Sequence, residues 1–124
     1  MTTDKNTILY VDDDDDFLDA VQQILESAGY EMVRASTAEE GLAAFRESRP
    51  DLILVDLMME EVDAGTTLVR ELERLHNEAP IYMISSLGDN LNMTLDVSGL
   101  GLAGVFQKPI DGPSLVATLS ARLN

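Results

Sequence analysis

Aspartates, serines and one lysine follow apolar runs in this 124-residue sequence, where side chains on separate segments could act together. A run of aspartates, residues 12–16, directly follows one apolar segment, and Asp56 ends another. Ser85 and Ser86 end a third apolar segment, and Lys108 follows a fourth. The chain contains only two lysines, so the position of Lys108 directly after an apolar segment suggests a functional role for its ammonium group.

These residue types together suit a site for a phosphoryl group and a divalent ion. Two carboxylates about 4 Å apart repel by roughly 4 kcal/mol at an effective dielectric constant near 20, so converging aspartates need a counter-charge. Mg²⁺ or Mn²⁺ prefers such hard oxygen ligands. With a lysine and a hydroxyl nearby, the site would receive a phosphoryl group, either on a bound ligand or carried covalently on an aspartate. A zinc site is not expected, because the chain has no cysteine and its one histidine, His76, stands alone.

Five short apolar segments predict the strands that would position these side chains. Stretches with apolar residues at helical spacing separate them, which predicts alternating strands and helices. This alternation favours a parallel sheet covered on both faces, with sites at the carboxyl ends of its strands. The side chains at the strand ends would therefore converge on one edge. The predicted strands are residues 7–11, 31–36, 51–56, 80–85 and 104–107.

Local signals mark the ends of several predicted helices. Residues 14–16 suit the loop and the amino terminus of the first helix, and Gly29 suits its end. Thr37 and Glu40 have the spacing of a capping box before the second helix. A weaker helix is expected within residues 87–104, which are rich in glycine and carry little charge.

The composition limits the class of protein. An apolar content of 45% predicts one globular domain over residues 7–124, after a short polar tail at residues 1–6. The net charge of −15 favours cations and basic protein surfaces as partners, and direct nucleic-acid binding is not expected. The polar start is no signal peptide and no apolar run approaches membrane-spanning length, so we expect a cytoplasmic protein without membrane contact.

Four motifs resemble the receiver domain of two-component response regulators, and the resemblance to these chemotaxis-regulator-like domains covers essentially the whole chain. ILYVDDD is similar to the family's first strand with its acidic pair, and DLILVDLMM to its phosphoacceptor strand. IYMISS is similar to the switch strand, and QKP to the lysine-proline signature. The resemblance implies an α/β, flavodoxin-like, doubly wound sheet of five parallel strands in the order 2-1-3-4-5, with five helices on its two faces.

The resemblance also implies roles for the acidic residues. Asp56 would be the phosphorylated aspartate, and Asp12 with Asp13 would be the acidic pair that holds Mg²⁺ directly or through water. Asp56 and the backbone carbonyl of Met58 would complete the protein ligands.

Contacts to the phosphoryl group would come from the last two strands. By the same resemblance, Ser85 would be the switch hydroxyl and Lys108 its cationic partner. The bond from Lys108 to Pro109 would be cis, an isomer plausible only before proline. Val105 stands where the family usually has the phenylalanine or tyrosine that rotates on activation, and Phe106 is expected to face the other side of the strand.

The implied function is phospho-accepting signal transduction in a two-component phosphorelay, and not enzymatic turnover. A sensor histidine kinase or phosphotransfer protein would donate the phosphoryl group to Asp56, and the added charge would bias Ser85 and adjoining loops toward a second conformation. The domain would assist its own phosphorylation and dephosphorylation. Residues 87–107 would form a homodimer or output-partner surface, or a poorly packed segment without such a role.

Two other functions fit part of the pattern. Asp12-x-Asp14 after a first strand satisfies the opening motif of a magnesium-dependent phosphatase of the haloacid dehalogenase type, with Asp12 as nucleophile. That function leaves Asp56 unexplained, and the chain is short for it and has no evident cap. A receiver-like scaffold that is never phosphorylated is the third hypothesis, which the complete set of site residues disfavours. The chain would be a stand-alone regulator or the receiver of a longer protein.

Overall fold

The computed structural model describes residues 6–56, 64–85, 102–108 and 110–123. The strands are β1 Thr7–Val11, β2 Glu31–Ala35, β3 Leu52–Asp56, β4 Ile81–Ser85 and β5 Gly104–Gln107. The described helices are α1 Asp15–Ser27, α2 Ala38–Ser48, α3 Ala64–Arg74 and α4 Gly112–Leu123. All five predicted strands are confirmed to within one residue at each end. Most of the segment 87–104, including the helix expected there, lies outside the described residues.

The strands form one parallel sheet in the order β2-β1-β3-β4-β5, as the resemblance implied. The order reverses between β1 and β3, which are hydrogen-bonded neighbours. Val11 of β1 pairs with Val55 of β3, so the next residues, Asp12 and Asp56, come side by side at the carboxyl edge. The register of two apolar strands thus places two carboxylates together.

Helices cover both faces of this sheet, because alternate residues of each strand point to opposite sides. On one face, Ile8 and Tyr10 pack with buried leucines of α1 and α4. On the other, Leu9 and Val11 pack with buried residues of α2 and α3. Within the described chain, no helix is long and apolar enough to cross a membrane.

The ends of α1 follow from its flanking residues. The Asp14 carboxylate caps the helix by accepting from the backbone N–H groups of Asp16 at 3.0 Å and Phe17 at 3.4 Å. At the other end Gly29 has a φ of 95°, a left-handed conformation that glycine adopts without steric cost. The Gly29 and Tyr30 N–H groups then donate to the carbonyls of Glu26 and Leu25, which closes the helix in a Schellman motif. Both sequence predictions for α1 are confirmed.

The capping box of α2 forms with a shifted partner. Thr37 Oγ1 accepts from the Glu40 N–H at 3.0 Å, as predicted. The Glu40 carboxylate instead accepts from the backbone N–H of Ser36 at 2.9 Å and from the Ser36 hydroxyl at 3.1 Å. These two bonds lower the pKa of Glu40. The box therefore also fixes the residue that follows β2.

His76 has a backbone role at the end of α3. Its φ is 62°, and its N–H donates to the Glu73 carbonyl while the Asn77 N–H donates to Leu72. His76 thus takes the left-handed position of a Schellman motif. Because α3 leads into β4, this histidine lies toward the amino end of the strands and away from the clustered aspartates.

Gly41 sets how closely α2 approaches the sheet, and its replacement by alanine should destabilise the protein. An added Cβ would lie 2.9 Å from Val11 Cγ2, on a stiff β-branched side chain next to Asp12. Overpacking costs about 1–3 kcal/mol, and alanine's better helix propensity recovers about 1 kcal/mol. We expect Gly41→Ala to lower the free energy of unfolding in urea by up to about 2 kcal/mol.

Gly112→Ala is the matched control for this prediction, because a Cβ there would come no closer than 3.5 Å to Ile24. We expect it to leave stability unchanged or slightly raised. Equal effects of the two substitutions would contradict the packing argument.

Candidate functional site

Three aspartates from two adjacent strand ends form an acidic cluster at the carboxyl edge. Oxygen atoms of Asp12, Asp13 and Asp56 all lie within 4.8 Å of one another. Asp12 is fully buried and Asp56 is 2% exposed, whereas Asp13 is exposed. Asp12 follows β1 and Asp56 is the last residue of β3, so the strand register fixes the backbone of both.

Lys108 supplies positive charge to this cluster. Its Nζ atom lies 3.2 Å from Asp12 Oδ2 and 3.6 Å from Asp56 Oδ2, and its side chain is 13% exposed. Burial disfavours the ammonium ion, but the nearby Asp56 and Asp12 carboxylates outweigh it, so the pKa of Lys108 is raised. The ammonium group also lies 4.2 Å from the centre of the Phe17 ring, where the ring face attracts a cation. Lys108 is therefore held between two carboxylates and an aromatic ring of α1.

Tyr10 adjoins the acidic cluster, although the sequence predicted it only as part of an apolar strand. Its hydroxyl donates a hydrogen bond to Asp12 Oδ2. Burial, and then this bond, raise the pKa of the Tyr10 hydroxyl, which keeps it a protonated donor. The two-residue period of β1 places residues 10 and 12 on the same side, a signal that was present in the sequence. The backbone N–H of Asp14 adds a third bond, to Asp12 Oδ1 at 2.9 Å.

Two further predicted site positions, Ser85 and Val105, lie on β4 and β5. Ser85 ends β4 and is half-buried, and its carbonyl accepts from the Lys108 N–H at 2.8 Å. Val105 is 48% exposed, whereas Phe106 packs on Tyr82 with ring centres 5.3 Å apart. Met58, Ser86 and Pro109 lie outside the described residues. The structure thus brings together Asp12, Asp13, Asp56 and Lys108, and links the Ser85 backbone to that of Lys108.

The cluster fits a hard divalent cation. Its three acidic side chains offer carboxylate oxygens, the ligand type that Mg²⁺ prefers. Formally, three carboxylates and one ammonium group leave two negative charges in excess. Asp13 is exposed, so one side of the cluster opens to solvent, from which an ion or a phosphoryl donor can approach.

Comparisons with known proteins agree with this geometry. Residues 8–120 match the family model of the response regulator receiver domain. The transcriptional regulatory protein CseB of Streptomyces coelicolor is 34% identical over 97% of this chain and 50% of its own length. The DNA-binding response regulator MtrA of Mycolicibacterium smegmatis is 32% identical over 99% of this chain and 53% of its own. This chain spans about half the length of these curated relatives.

A solved structure shows the same architecture. The CheY-like response regulator receiver domain protein of Methanospirillum hungatei superposes with a TM-score of 0.88, at 30% identity, over 97% of this chain and 94% of that one. The flavodoxin-like fold expected from the sequence is therefore confirmed, and the matched family is a signalling module and not a classical enzyme family. The chain belongs to the response regulator receiver domains of two-component signal transduction.

Proposed function

We propose that Asp56 is the phosphoacceptor of this receiver domain and that Asp12, Asp13 and Asp56 bind Mg²⁺, with Mn²⁺ as a substitute. The Met58 carbonyl, outside the described residues, is part of the same proposal. One observation carries it: a single lysine ammonium group contacts both buried carboxylates of an acidic cluster at the point where the strand order reverses. That arrangement matches a site for an anionic group at the carboxyl edge of a parallel sheet.

The side chains have distinct parts in the transfer. An Asp56 carboxylate oxygen bonds to phosphorus while the phosphorus–nitrogen bond of a donor phosphohistidine breaks, and the imidazole leaves with the electron pair. Lys108 lies beside Asp56 Oδ2, so its ammonium group is placed to stabilise the transferred oxygens. A bound Mg²⁺ would supply further neutralisation of the phosphoryl oxygens. Ser85 is proposed as the hydroxyl that contacts the phosphoryl group, because it ends the neighbouring strand β4.

A switch in protein contacts is the proposed output. The phosphoryl donor would be a sensor histidine kinase or phosphotransfer protein, and the phosphorylated domain, residues 7–124, would assist its own dephosphorylation. The sector 87–107 is the proposed homodimer or output surface; its described part includes the exposed Val105. We place the protein in the cytoplasm. Two relatives are named as a transcriptional regulator and a DNA-binding regulator, but the charge of −15 argues against direct nucleic-acid contact by this domain.

Asp12 is poorly suited to act as the nucleophile of a phosphatase. It is fully buried, and its two oxygens accept bonds from Tyr10, Lys108 and the Asp14 backbone. Donors on both oxygens reduce the availability of the lone pairs that would attack phosphorus. The receiver function is therefore favoured over the alternative that uses Asp12.

Asp56→Asn should abolish phosphorylation, because an amide cannot form the acyl phosphate. The protein is incubated with Mg²⁺ and acetyl phosphate, and the modified residue is located by intact mass and borohydride trapping. We expect one phosphoryl group per wild-type chain, on Asp56, and none on the variant. A label on Asp12 would support the phosphatase, and no label on the wild type would support an unphosphorylated scaffold.

Asp13→Asn should weaken Mg²⁺ binding, whereas Asp15→Asn should barely change it. Asp13 belongs to the cluster, and Asp15 is an exposed residue in the first turn of α1 with a 3.8 Å ion pair to Arg34. Even outer-shell partners of metals contribute about tenfold or more in affinity, so we expect at least that loss for a direct ligand. Calorimetric titration with Mg²⁺ measures both variants. Similar affinities would show that the aspartate run acts only as a diffuse charge.

A further inference from the structure

We propose that Tyr10 is a positioning residue that makes the site prefer Mg²⁺ to Ca²⁺, because its hydroxyl denies one carboxylate oxygen of Asp12 to the ion. The inference rests on the proposed metal site. It concerns a residue outside the acidic cluster itself and a property, discrimination between two divalent ions, that the cluster alone does not determine.

The hydrogen-bond donors around Asp12 limit which of its carboxylate oxygens an ion can use. Oδ2 accepts the Tyr10 hydroxyl bond and lies 3.2 Å from Lys108 Nζ, and Oδ1 accepts the Asp14 N–H at 2.9 Å. An ionised carboxylate has about four lone-pair directions, two on each oxygen. Among the described residues, donors therefore take both directions of Oδ2 and one of Oδ1. Asp12 can then offer an ion a single oxygen, Oδ1, whether directly or through water.

Of the two side-chain donors to Oδ2, Tyr10 is the one held in place. Its ring is fully buried in the layer with Leu18 and Leu54, and its hydroxyl reaches Asp12 along the same strand. Lys108 is partly exposed, has a long flexible side chain, and also contacts Asp56, so it can follow a new anion on Asp56. Tyr10 therefore keeps Oδ2 occupied even when Lys108 moves.

A carboxylate limited to one oxygen suits the smaller ion. Mg²⁺ requires near-octahedral geometry at about 2.0–2.1 Å and retains several waters, so single oxygens are sufficient. Ca²⁺ takes about 6–8 oxygens at about 2.3–2.6 Å and often binds carboxylates through both oxygens. Removing the Tyr10 hydroxyl frees a lone pair on Oδ2 and permits that second contact. Loss of the Tyr10 hydroxyl should therefore strengthen the binding of Ca²⁺ more than that of Mg²⁺.

Tyr10→Phe tests this inference through metal binding alone, without a phosphoryl donor. Calorimetric titrations give the dissociation constants for Mg²⁺ and Ca²⁺, and their Ca²⁺/Mg²⁺ ratio is compared with that of the wild type. We expect the ratio to fall by about tenfold, the lower end of the effects of outer-shell partners on metal affinity. The matched control is Tyr30→Phe, which loses a 2.8 Å hydroxyl bond to Ser120 Oγ at the amino end of the sheet. That variant should keep the wild-type ratio.

The inference would be overturned if Tyr10→Phe left the Ca²⁺/Mg²⁺ ratio of dissociation constants unchanged or weakened the binding of both ions equally. Either result would leave the proposed function intact. A wild-type protein that binds no Mg²⁺ would contradict the proposed metal site and this inference with it. Proton NMR of the wild type gives a second measurement that does not depend on the variant folding. The Tyr10 hydroxyl proton, assigned by its contacts to the ring protons, should persist at saturating Mg²⁺. Its loss would show that the ion takes Oδ2 and would also overturn the inference.

Discussion

The pairing of two buried carboxylates with one ammonium group is the interaction around which this domain is organised. Asp12 and Asp56 lie next to each other because β1 and β3 are neighbours in register, and Lys108 from the end of β5 contacts both. An uncompensated buried charge is strongly destabilising, so the lysine and the fixed donors of Tyr10 and Asp14 are needed where they are. The acidic cluster is thus the part of the molecule that most needs compensating charge, and it is also the proposed site of phosphorylation.

Two apolar layers hold this edge in place. Buried side chains of α1 and α4 pack on one face and those of α2 and α3 on the other, and the inner strands β1, β3 and β4 are buried on both sides. The close contact at Gly41 brings α2 against Val11, the residue before Asp12. The helix caps at Asp14 and Gly29 then determine where α1 starts and ends. Local sequence signals and the core therefore agree in positioning the same edge, as expected of a sequence that specifies one fold.

Most of this architecture could be predicted from the sequence, because β1, β3 and β4 are mainly apolar runs and both ends of α1 and the start of α2 carry recognisable capping residues. The convergence of Asp12, Asp56 and Lys108 followed from the rule that parallel strands present their carboxyl ends at one edge. The two-residue period of β1 placed Tyr10 on the side of Asp12, but an apolar strand accepts a tyrosine for its ring alone, so only the packed structure shows that the hydroxyl bonds to Asp12. Glu40 similarly pairs with Ser36, one residue before the partner its spacing suggested, because the loop conformation selects the donor.

The position of β3 has a mechanical consequence for signalling. Two strands flank it on each side, so the backbone that carries Asp56 is hydrogen-bonded across both of its edges. A central strand of this kind resists displacement, since any shift would break two ladders at once. The proposed phosphoryl group on Asp56 would therefore leave the β3 backbone in place. Its size and charge would have to be accommodated beyond the carboxyl edge of the sheet. The central strand β3 would therefore keep its position while the proposed phosphoryl group changes the charge at the carboxyl edge of the sheet.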